Sequence, residues 1–170
     1  MAIMKFNDEQ AKSVLIGEKI FNESELKCRI EVELEKYTKK VQIESRVLGD
    51  MATNHIIPTA VTYQNRLFEN LRGFRETFSI DEYEFLGADR KELIKEIQHR
   101  ILDIKRLVHE MTEARKVANH LNSQEEKAFS YEEQVSPYLH KIREHIDHLE
   151  LEIDDEIWPL PKYRELLFTK

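Results

Sequence analysis

An all-α fold follows from three features of the 170-residue sequence: only four glycines and four prolines, apolar residues recurring at three- and four-residue steps over long stretches, and 35% charged residues to cover solvated faces. Many short strands would need more turn formers, and a glycine-rich phosphate cradle more glycine. With 41% apolar residues the chain can build one domain with a sizeable core. The expected architecture is an antiparallel bundle of three long helices, 22–73, 89–121 and 130–153. The first is kinked near Pro58, and a docking tail, 154–170, carries a Pro-bounded short helix.

Residues 1–21 give weak order signals. Ile16, Ile20 and Phe21 offer a short apolar stripe that Gly17 interrupts, so the segment reads as the tail of an upstream domain. Asn22 and Glu25 then have capping-box spacing, which starts the first long helix. Leu26, Ile30, Leu34, Tyr37, Val41, Leu48 and Met51 lie on one stripe, broken once at Glu44. Pro58 removes an amide donor and crowds the carbonyl four residues back, so a kink or restart is expected near Ile57. The pattern continues through Ala60, Val61, Tyr63, Leu67, Phe68 and Leu71 to Gly73.

The connector 74–87 is rich in aromatics, Phe74, Phe78, Tyr83 and Phe85, which are expected to pack over one end of the bundle. Asp89 with Glu92 gives a second capping-box spacing. Ile94, Ile97, Ile101, Ile104, Val108, Met111 and Ala118 form a coiled-coil-like seam, interrupted at Arg115. After a turn at Asn122-Ser123-Gln124, the third helix starts either at a Ser130/Glu133 capping box or with Ser136 as cap before Pro137. Val135, Leu139, Ile142, Ile146, Leu149 and Ile153 give it an apolar face matching that of the second helix, so the two should pack antiparallel.

The tail begins with a conflict. Asp154, Asp155 and Glu156 sit near a helix C-terminus, where the macrodipole disfavours negative charge, and Trp158-Pro159-Leu160-Pro161 imposes an extended path. One further turn presents Tyr163, Leu166, Leu167 and Phe168, too apolar a cluster to dangle in water. Trp158, Pro159, Tyr163, Leu166, Leu167 and Phe168 are the candidate interface residues. The bland alternative is that the same cluster closes the bundle's own end.

Charge and composition exclude several functions. The net charge is −7 with basic residues interleaved among acidic ones, whereas nucleic-acid binding needs an uncompensated basic stripe. Apolar runs are a few residues long, against the ~20 that cross a bilayer, and no signal-peptide core is present at the N-terminus. No membrane association and a cytoplasmic location are expected. Cys28 is the single cysteine and reads as a small core residue.

No catalytic or metal site stands out. His145 and His148, beside Glu144 and Asp147, could share a helix face as metal ligands, but they lie off the apolar seam and read as solvent-facing. His109-Glu110-Met111-Thr112-Glu113 approaches the zinc-protease pattern, with Glu113 where its second histidine belongs. His55 falls on the apolar side before Pro58 and reads as a buried, hydrogen-bonded histidine. Most carboxylates have a cation three or four residues away, such as Glu92 with Lys95 and Glu96 with Arg100, the pattern of a solvated helix face.

Two separated stretches resemble the C-terminal region of type III glutamine synthetases. One runs from Glu33 to Asn70 and carries Glu33–Asp50 and then Asn54-His55-Ile56-Ile57-Pro58-Thr59-Ala60; the other is Leu149–Phe168, with Asp154-Asp155, Trp158-Pro159, Pro161, Tyr163 and Leu166-Leu167-Phe168. Phe21–Tyr37 also fits, whereas 88–121 is similar mainly in helical character. The resemblance implies a parent enzyme that makes glutamine from glutamate, ammonia and ATP with Mg or Mn. Its β-grasp and catalytic domains would precede this region, and the parent's catalytic domain and neighbouring subunits would be the partners. It carries no catalytic residue or cofactor-binding position onto this chain, which is then a structural and assembly module. The alternatives are a free-standing helical interaction module and a metal-binding four-helix-type protein, whose Glu-x-x-His signature is lacking.

Overall fold

The computed structural model describes residues 2–168, of which 2, 4, 7, 163 and 164 by their backbone alone. Every regular element among them is helical. A 3₁₀ turn, Ala2–Asn7, precedes α1 (Glu9–Gly17) and α2 (Glu23–Met51). A π-helical turn, Ala52–Ile56, leads into α3 (Ile57–Thr77), followed by α4 (Ile80–Leu86) and α5 (Ala88–Asn119). Next come α6 (Gln124–Ser130), a second π turn, Tyr131–Val135, then α7 (Ser136–Glu152) and the single turn α8 (Tyr163–Leu166).

The chain divides into two compact units, residues 1–47 with 110–139 and residues 48–109 with 140–170. In the first, Leu26, Leu34 and Val41 of α2 are buried, as are Met111, Ala118, Tyr131 and Val135. The α2 stripe passes through Ser45, fully buried one residue beyond the break noted at Glu44. In the second unit Ile97, Ile101, Ile104, Ile142 and Leu149 are almost completely enclosed. Leu107 rather than Val108 continues the α5 seam. Burying one such side chain contributes roughly 1.5–3 kcal/mol, so these seams supply most of the driving force.

Both prolines inside long helical runs are met the same way. A proline has no N–H and its ring crowds the carbonyl four residues back. Directly before each, the helix widens by one residue: Ile57 N–H donates to Ala52 O ahead of Pro58, and Ser136 N–H donates to Tyr131 O ahead of Pro137. A π turn moves the obstructing carbonyl aside without ending the helix. At Pro137 the run begins earlier than either cap in the sequence suggests, with Ser123 accepting from Glu126 N at 3.5 Å.

The Asn22 capping box is formed, with Glu25 N to Asn22 Oδ1 and Asn22 N to Glu25 Oε2 both at 2.9 Å. The Asp89 box is not, because α5 already starts at Ala88 and Asp89 lies inside its first turn. The box that does form there is Ser79 with Glu82, at the head of α4. In the aromatic connector Phe74 and Phe78 pack edge to face, 5.7 Å between centroids, while Phe85 stays 83% exposed. Gly87 lets α4 and α5 approach α3 closely: a Cβ there would stand 2.8 Å from Tyr83 O and 3.1 Å from Leu71 Cδ2.

Candidate functional site

A cleft of about 540 Å³ lies in the first unit. Leu26, Ile30 and Leu34, one helical turn apart on α2, form one wall, and Ile16 of α1 contributes from the other side. Its rim carries both signs of charge, Lys12 and Lys27 with Glu23, Glu31 and Glu125. The same unit carries a polar layer. Tyr131 donates to Asn119 Oδ1 at 2.8 Å, Gln42 Nε2 donates to the same oxygen at 3.4 Å, and Tyr37 hydrogen-bonds Glu132. Burial, then the Glu132 carboxylate, pushes the Tyr37 phenol well above its ordinary range.

The second unit holds the denser charge cluster. Arg100 of α5 lies with Nη1 3.3 Å from His145 Nδ1 and Nη2 3.4 Å from Glu96. That contact suits a neutral imidazole accepting at Nδ1, and burial lowers the His145 pKa although Asp103 opposes it. Glu152, at the end of α7, has its Oε2 enclosed with no hydrogen-bond partner. Burial, then repulsion from Glu96, raises its pKa against the pull of Arg100 and His148. Asp103 is lowered chiefly by its hydrogen bond from Arg106, at 3.0 Å.

The individual sequence candidates fall as follows. His140 and His148 sit on the exposed face of α7 with Glu144 and Asp147, where Arg143 pairs with Asp147 at 3.6 Å. Among the described residues no three of His, Cys, Asp and Glu assemble into a metal-holding group. His55 is exposed on the π turn rather than buried, because that turn moves it off the α2 stripe, and Cys28 is exposed rather than in the core. Trp158 is buried, at 7% exposure. Pro159 is exposed, and Leu166, Leu167 and Phe168 are 57%, 70% and 80% exposed. The Tyr163 side chain lies outside the described residues. Sequence reasoning named Arg100 only as the partner of Glu96 and missed Glu152, whose carboxyl feels Glu96 and Arg100 of α5 from the end of α7.

Such features define a class, a helical module with charge networks and an apolar, exposed tail. Residues 1–75 match the family described as the glutamine synthetase C-terminal domain. The chain is 72% identical over 169 residues to a glutamine synthetase of Bacteroides fragilis (strain YCH46), covering 99% of this chain and 23% of that protein. A type-3 glutamine synthetase of Dictyostelium discoideum is 25% identical over 175 residues, with 99% of this chain and 23% of that protein covered. A glutamine synthetase of Butyrivibrio fibrisolvens is 24% identical over 154 residues, with 88% and 21% covered. The chain thus spans 21–23% of the length of these relatives.

Proposed function

We propose that this chain is the non-catalytic structural and assembly module of a type III glutamine synthetase. The carrying observation is the collinear 72% identity that takes in 99% of this chain and only 23% of the Bacteroides fragilis enzyme. On this reading a preceding catalytic domain binds ATP and Mg or Mn and joins ammonia to glutamate. The present residues brace that domain or a neighbouring subunit, in the cytoplasm. The long helices act as an antiparallel bundle of three, and the tail from Asp154 onward is the docking segment. Leu166, Leu167 and Phe168 support that role through exposed apolar surface at the chain's end. Pro159 and Tyr163 belong to the same segment, with Trp158 as its internal anchor.

The test is a glutamine-forming assay on this chain alone, beside the same chain extended through its upstream coding sequence. Activity confined to the extended protein supports the proposal. Turnover by the 170-residue chain itself would overturn it.

A further inference from the structure

The last turn of α7 is left without its ordinary closure. Leu149 O still accepts from Ile153 N at 2.9 Å, but no glycine follows α7 and three acids come after Ile153, the arrangement that a helix dipole disfavours. Lys162 answers all of this. Its Nζ donates to Glu150 O at 2.5 Å and to Ile153 O at 3.0 Å, and pairs with Asp155 Oδ1 at 2.6 Å. An ammonium has three N–H donors, and these are three acceptors. The side chain is 13% exposed and its charge lies 5.8 Å from the centroid of the Trp158 ring, which is itself buried. Nearby, Asp154 is held by Arg66 at 3.1 Å and accepts from Glu156 N at 3.0 Å, so the loop is tied at both ends.

We propose that Lys162 is a clasp. Its ammonium caps α7, folds the loop Asp154–Pro161 back over the helix end, and fixes where the chain departs toward Leu166–Phe168. The clasp is electrostatic, so loss of the charge opens the loop while the apolar seams of the unit stay closed. Lys162 is a positioning residue: it holds Trp158 and the tail's point of departure. That the tail then docks rests on the function proposed above; the clasp does not.

Trp158 is the only tryptophan, so fluorescence reports the loop directly. Lys162→Met keeps the apolar stem and removes the donors. In the 170-residue protein it is expected to shift Trp158 emission to the red and increase its quenching by acrylamide. Cleavage between residues 154 and 168 by a nonspecific protease should quicken about tenfold, with the main thermal transition nearly unchanged. Lys162→Arg should return both readouts most of the way. Should Lys162→Met lose the fold, Asp155→Asn removes the negative charge paired with the ammonium and should move the same readouts by less. Unchanged quenching and cleavage in the folded variants would overturn the clasp. In a full-length enzyme carrying this region, lost assembly on Lys162→Met supports the docking role. Intact assembly with an opened loop would overturn that role and leave the clasp standing.

Discussion

Arg115 donates to Ser45 Oγ at 3.5 Å, and these two residues mark the interruptions of the two apolar seams in the first unit. Ser45 is fully buried and also donates to Gln42 O at 2.9 Å, so the hydroxyl works as acceptor and donor at once. The break in each stripe is therefore half of one polar contact. Ser45→Ala should lower stability to urea by about 1 kcal/mol, and by less in an Arg115→Leu background, with a coupling of roughly 0.5 kcal/mol. Additive single and double variants would show that the two residues do not act together.

Tyr131 tests the same layer from another side. Its ring is fully buried and its hydroxyl donates to Asn119 Oδ1 at 2.8 Å. Tyr131→Phe preserves the packing and leaves Asn119 with only the longer bond from Gln42. A loss of about 1 kcal/mol is expected, seen as a fall of about 2–4 °C in Tm. A Tm unchanged within error would mean that solvent already satisfies both groups.

Gly87 is required for steric reasons. A Cβ 2.8 Å from the Tyr83 carbonyl oxygen has only backbone to push against, and Leu71 closes the other side. Gly87→Ala should cost about 1–3 kcal/mol despite alanine's better helix propensity, whereas Gly73→Ala, where nothing lies within 4 Å, should be neutral or stabilising. Paired melting curves decide between strain and propensity.

Glu152 sets a pH dependence of definite sign. Its carboxyl is held above the ordinary 4.5, chiefly by burial and next by Glu96. The folded chain therefore keeps a proton that the unfolded chain has released. Stability from this group is full below pH 4.5 and is lost as pH rises through the elevated folded value. Glu152→Gln should then stabilise by about 1 kcal/mol at pH 7, with the gain shrinking toward pH 4. Urea midpoints at the two pH values measure it; a gain that grows on acidification would contradict the assignment.

Helical class, the Asn22 capping box and most buried seam positions were legible because three- and four-residue periodicity and cap chemistry are local. Leu107 displaced Val108 because the seam's phase was carried one residue too far. The π turns were not legible: Pro58 and Pro137 announce an obstruction, but widening, kinking and breaking the helix all relieve it. The Ser79/Glu82 box had a readable signature, hidden inside a segment judged by its aromatics. Arg100 lies on α5 while His145 and Glu152 lie on α7, so no spacing along one helix reveals the three together. Lys162 was equally hidden. The sequence showed an unfavourable run of acids at a helix end, and the residue that offsets it lies seven positions beyond Asp155, back across a proline-bounded loop.

Replacement of the matching region of the Bacteroides fragilis glutamine synthetase by this chain tests the central claim most directly, with a deletion of that region alongside. The two chains are 72% identical over 169 residues, so the graft preserves most buried seams. Native mass spectrometry and a glutamine-forming assay read assembly and activity together. An assembled, active graft and a deletion that fails to assemble would bear out a structural module. A deletion that assembles and turns over like the intact enzyme would contradict it.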